Sequence, residues 1–98
     1  MTVVSVLTLA VRPGVAEEFT QRFAELQVFE RSRQSGGFLG GRLLRPLAPD
    51  GRFLAIADWV RAEDYQAWLD NPVRAELTSQ LEPMLLSEPV AGNLFEEA

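Results

Sequence analysis

Val3-Val4-Ser5-Val6-Leu7-Thr8-Leu9-Ala10-Val11-Arg12-Pro13-Gly14-Val15-Ala16-Glu17-Glu18-Phe19 holds the change of rhythm from which the fold is read. Residues 3–11 are β-branched and leucine-rich, as a strand requires, and they stop at Arg12-Pro13-Gly14, where proline ends a ladder and glycine permits a turn. From Val15 the apolar positions recur at helical spacing. Val15, Phe19, Phe23, Leu26 and Phe29 form one stripe, with Glu17, Glu18, Gln21, Glu25 and Arg31 on the other faces. Glu18 and Arg22 stand four apart in the favourable order for a surface pair. The spacing predicts one helix running to about Gln34.

Ser35-Gly36-Gly37 stops that helix, and Phe38 to Leu47 reads as a second strand whose Gly40-Gly41 pair marks a bulge. Pro49-Asp50-Gly51 is a turn, because proline fixes φ and Asp-Gly tolerates positive φ, so Arg52 to Val60 returns as an antiparallel third strand. Ala62 to Leu69 is helical, with Tyr65, Trp68 and Leu69 on one side. Asn71-Pro72 interrupts it and supplies an N-cap and a first-turn proline for a further helical piece that turns Val73, Leu77 and Leu81 inward, and Pro83 ends it. Val90 to Phe95 closes the series as a short strand. The order is βαββαβ in one α+β domain spanning residues 1–98.

Both helical layers of such a unit fall on the same side of the sheet. The other side should then be polar in a monomer. Strand one instead places Val3, Leu7, Leu9 and Val11 on one face and Val4, Val6 and Ala10 on the other, and strand three sets Phe53 and Trp59 against Leu54, Ile56 and Val60. A 98-residue chain without cysteine has no disulfide or thiolate metal site to stabilise it. A second copy covering the open face is the expected remedy, so a homodimer is predicted.

The net charge of −5 argues against nucleic acid and against anionic membranes as partners, since both need a basic surface. The longest apolar stretch falls far short of the ~20 residues that span a bilayer. With no basic segment ahead of it to make an export signal, a cytoplasmic location is expected. Histidine is absent, which removes the commonest general base and metal ligand, and no phosphate loop, dinucleotide fingerprint or nucleophile elbow is present. No metal site and no cofactor is expected.

A mismatch of side-chain size remains between the layers. The first helix offers Phe19, Phe23 and Phe29, while the sheet offers Ala55, Ala57, Gly40 and Gly92. Such a pattern reads either as simple interdigitation or as a cavity for a flat apolar or aromatic molecule between sheet and helices. Trp59, Tyr65 and Trp68 would stand near one mouth of that cavity, each with a polar tip able to orient a ring. Arg42, Arg45 and Arg74 are candidates to neutralise an acidic ligand, or are plain surface cations.

Val11-Arg12-Pro13-Gly14 with a Glu-Glu-Phe helix start, Gly36-Gly37-Phe38-Leu39-Gly40, Ala57-Asp58-Trp59 leading into a helix, then Asn71-Pro72 and Leu77 to Leu86, together resemble the antibiotic biosynthesis monooxygenase family. The resemblance implies a ferredoxin-like fold with an antiparallel four-stranded sheet, paired across a homodimer into an α/β barrel. It also implies a monooxygenase that oxidises an aromatic, polyketide-like phenol to a quinone with dioxygen alone. On it Trp59 and Tyr65 are the catalytic pair; the cavity reading adds Phe19, Phe23, Ala55, Ala57, Trp68 and Leu77 as the lining of a substrate site. The asparagine that such enzymes place four residues before the tryptophan is Ala55 here, and their helical arginine corresponds to Thr78. Heme-degrading relatives use an axial histidine that this chain lacks. The alternative reading is a non-catalytic dimeric barrel that binds an apolar small molecule or acts as an accessory protein.

Overall fold

The computed structural model describes residues 2–89 and 91–98. Its elements are β1 (Val3–Leu9), α1 (Ala16–Glu25), α2 (Val28–Ser35), β2 (Phe38–Leu44), β3 (Phe53–Trp59), α3 (Ala62–Leu69), α4 (Pro72–Leu81), a 3₁₀ turn at Glu82–Met84 and β4 (Asn93–Glu96). The strands form one antiparallel sheet in the order β2-β3-β1-β4. This is the ferredoxin-like arrangement expected from the sequence. The shortest dimension, 19 Å, is that of one sheet carrying one helical layer.

Several local expectations are corrected. The first helix does not run unbroken to Gln34 but divides at Leu26 and Gln27, where Gln27 takes φ 52°, a left-handed conformation that no α-helix continues through. The apolar stripe nevertheless persists, because Leu26, Val28 and Phe29 pack on the same core from both sides of the break. The bulge falls between Phe38 and Gly40, so Gly41, not Gly40, lies opposite Ala57 on the helix side, and Gly40 pairs with Asp58. A β-carbon at Gly41 would fall 2.6 Å from the Phe29 ring, so only glycine lets that ring reach the sheet.

The first strand ends at Leu9, and Val11 makes an isolated bridge to Leu85. The last strand is shorter than expected and shifted to Asn93–Glu96, with Val90 outside the described residues. Asn71 caps α4 as its sequence predicts, its side-chain oxygen accepting the Val73 N–H at 2.9 Å with Pro72 in the first turn. Asp64 accepts the Arg61 backbone N–H at 3.1 Å and so closes the start of α3. Glu17 in α1 pairs with Arg45 beyond β2, whose hydrogen bond and charge hold the carboxyl below its ordinary value. Both groups lie in solvent, so the pair fixes position more than it stabilises.

The core is two clusters. Leu9, Phe19, Phe23, Phe53, Leu81, Met84 and Leu85 form one, and Phe38, Ala57, Trp59, Tyr65, Trp68 and Leu77 the other. On the far side of the sheet, alternation from the buried Ser5, Leu9, Phe53 and Ala57 sends Val4, Val6, Leu54, Ile56, Leu44 and Phe95 outward. No helix covers them, and Phe95 is 54% exposed.

Candidate active site

A cavity of about 80 Å³ lies where the two clusters meet, walled by the sheet below and by α2, α3 and α4 with Phe23 of α1 above. Three inward positions of β3 reach it, Ala55, Ala57 and Trp59, because alternate strand residues share a face. Tyr65 and Trp68 arrive from α3 at a spacing of three, and Arg74, Leu77, Thr78 and Leu81 from α4 at spacings of three and four. Small residues in the sheet leave the space, and aromatic rings around it keep it apolar.

Trp59 is 1% exposed and its indole Nε1–H donates to the Ser5 hydroxyl at 3.0 Å. Its ring meets Phe38 edge-on at 5.3 Å and Tyr65 at 5.5 Å between centroids. The Tyr65 hydroxyl accepts the Gly92 N–H at 2.7 Å, which ties α3 to the segment entering β4. The Ser5 and Tyr65 hydroxyls are thus used as acceptors, and among the described residues neither proton has an acceptor of its own. Each is free to donate toward whatever enters.

Gly92 makes the tyrosine contact possible. A β-carbon there would sit 2.9 Å from the Val6 carbonyl oxygen and 3.0 Å from the Tyr65 hydroxyl. Gly92→Ala is therefore expected to push the hydroxyl off the amide and to cost about 1–3 kcal/mol through overpacking, read as a lower denaturation midpoint.

Of the residues predicted for the site, Trp59, Tyr65, Phe23, Ala55, Ala57, Trp68 and Leu77 are brought together on the cavity walls. Phe19 is not. It lies fully buried between Phe23 and Phe53, with centroids at 6.0 and 5.1 Å, as packing beneath the site. Among the arginines singled out, Arg74 lines the cavity, whereas Arg45 is held by Glu17 and Arg42 lies exposed on β2. Ala55 and Thr78, where the resemblance places an asparagine and an arginine, both line it. Ser5 was missed. The one signal for it in the sequence is a polar residue at an inward position of an otherwise apolar strand.

The antibiotic biosynthesis monooxygenase family matches residues 2–77. The heme oxygenase (mycobilin-producing) of Mycobacterium tuberculosis is 35% identical over 75 residues, covering 76% of this chain and 70% of that protein. A crystal structure of a variant of SnoaB, a cofactor-independent oxygenase from Streptomyces nogalater, superposes with a TM-score of 0.66 at 27% identity, covering 98% of this chain and 90% of that one. A Bordetella bronchiseptica structure bearing the same family name reaches 0.82 at 17% identity over 99% and 97% of the two chains, a likeness of fold. Matched along most of its length, the chain belongs to the antibiotic biosynthesis monooxygenase family.

Proposed function

We propose that the protein is a cofactor-independent monooxygenase acting on an aromatic phenol, with the cavity beside Trp59 and Tyr65 as its active site. The observation that carries the reading is the pair of hydroxyls, Ser5 and Tyr65, set in apolar walls with no acceptor for their protons among the described residues. In such a reaction a phenolate passes one electron to dioxygen and the two radicals combine at a ring carbon. Loss of water then leaves the quinone, with one oxygen atom retained on carbon and the other released as water, so that substrate hydrogens and electrons balance. Negative charge builds on oxygen in the step, and preorganised donors in a dry site lower its barrier. Tyr65 donates directly. Trp59 acts as a positioning residue: its indole N–H is spent on Ser5, whose own proton it thereby directs.

Heme fits these residues poorly. The chain has neither histidine nor cysteine, Met84 is not among the residues on the cavity walls, and the Tyr65 oxygen already accepts an amide. At about 80 Å³ the space is also smaller than the roughly 150 Å³ engineered cavity that takes a benzene ring. A fused-ring phenol therefore enters by one ring and extends through the open mouth.

Oxygen uptake with a panel of hydroxyanthrones tests the reading. One dioxygen consumed per quinone formed is expected, and absence of uptake across the panel transfers the cavity to the alternative, a binding protein without turnover.

The working unit on this reading is a homodimer joined through the open sheet face, where Val4, Val6, Leu54, Ile56, Leu44 and Phe95 form an apolar surface that no described helix covers, the kind of patch that favours association. Light scattering at micromolar concentration is expected to give the mass of two chains. Ile56→Glu, at a half-buried position central to that face, is expected to yield single chains that keep their helical circular dichroism. A parent that runs as one chain rules the pairing out.

A further inference from the structure

All nine cationic side chains of this protein are arginines, and eight of them are exposed. Arg74 alone is half-buried, and it is the one charged residue on the cavity walls among the described residues. No described carboxylate lies within ion-pair distance of it. Asp70, at the end of α3, receives Gln66 Nε2 at 3.3 and 3.4 Å instead, and the first turn of α4 carries no acidic residue. Partial burial costs a guanidinium hydration that no described protein group here restores. Thr78, one turn on along the same face of α4, adds a hydroxyl beside it.

We infer that the ligand of this cavity is an acid: an apolar ring compound bearing one anionic oxygen group, which pairs with Arg74 while the ring lies against Trp59, Trp68 and Leu77. The inference rests on the reading of this cavity as the ligand site and adds the charge class of what it accepts. Carboxylate and phenolate satisfy the same chemistry, since a planar guanidinium fork donates to either. A neutral ring of the same shape gains the apolar contacts but brings the guanidinium no counter-charge.

Calorimetric titration of the intact protein with 2-naphthoate and with its neutral isostere 2-naphthamide separates these cases. The acid is expected to bind about ten- to a hundredfold more tightly, the range for a hydrogen bond to a charged group. Arg74→Gln should abolish that preference while leaving naphthamide affinity within about twofold, and Arg74→Lys should retain part of it, as a point charge without the fork. Raising salt on the unaltered protein gives a second measurement that does not depend on a variant folding. It should weaken naphthoate and spare naphthamide. Equal affinities in the parent, an acid preference that survives Arg74→Gln, or no naphthoate binding overturns the inference. If hydroxyanthrone oxygenation continues in any of those cases, the acid class alone falls; if uptake is absent as well, the catalytic reading falls with it.

Discussion

Tyr65→Phe is expected to lower the rate of hydroxyanthrone oxygenation by about 10²–10³, the loss found when a single preorganised donor to a developing oxyanion is removed. The substitution keeps the ring that packs at 5.5 Å from Trp59 and deletes only the hydroxyl. Its structural consequence is confined to Gly92, whose N–H loses the acceptor it holds at 2.7 Å, at a cost of about 1–3 kcal/mol if that amide stays dry. Stability and rate therefore both fall, and they separate by substrate dependence. A missing donor depresses kcat with KM nearly constant, whereas a loosened pocket raises KM. Ser5→Ala should show a smaller version of the same split, since it removes one donor and also strands the Trp59 indole N–H. Full turnover in Tyr65→Phe, measured with an oxygen electrode, would take the tyrosine out of the chemistry.

Much of the architecture is legible in the sequence because periodicity reports which face a residue presents. Ala55, Ala57 and Trp59 alternate, so they share a side of β3, and Tyr65 and Trp68 are three apart on α3, so they converge on that side. What periodicity does not report is depth along the layer. Phe19 and Phe23 belong to one helical stripe and look equivalent, yet Phe23 borders the cavity and Phe19 is sealed beneath it. Backbone conformation at single residues is hidden for a related reason. Nothing in the glutamine side chain announces φ 52° at Gln27, and the stripe runs on across the break because both helices face one core. Either glycine of the 40–41 pair fits a bulge, and which one faces inward depends on a one-residue register choice made by the partner strand. Ser5 escapes because its significance is tertiary: its partner, Trp59, lies 54 residues away.

Trp59→Ala is expected to cost about 3–5 kcal/mol, the range for truncating a large buried aromatic side chain. A domain of this size has only about 5–15 kcal/mol in total, so the variant should unfold at markedly lower denaturant or temperature. Two losses add at this position. The ring leaves a void between Phe38 and Tyr65, its neighbours at 5.3 and 5.5 Å, and the Ser5 hydroxyl loses the donor that fixed it. Trp59→Phe fills most of the void and restores none of the hydrogen bond, so its destabilisation should be well below that of the alanine variant. The pair of variants thus tells packing from positioning: if the indole N–H directs Ser5 during turnover, Trp59→Phe remains folded at working temperature yet oxygenates slowly. Equal turnover in Trp59→Phe and the parent would leave the tryptophan with packing alone. Because the residue that closes the core also borders the cavity, activity in the alanine variant is informative only alongside its folded fraction. A homodimer adds a further signature, since association that favours the folded form should move the Trp59→Ala midpoint upward as protein concentration rises.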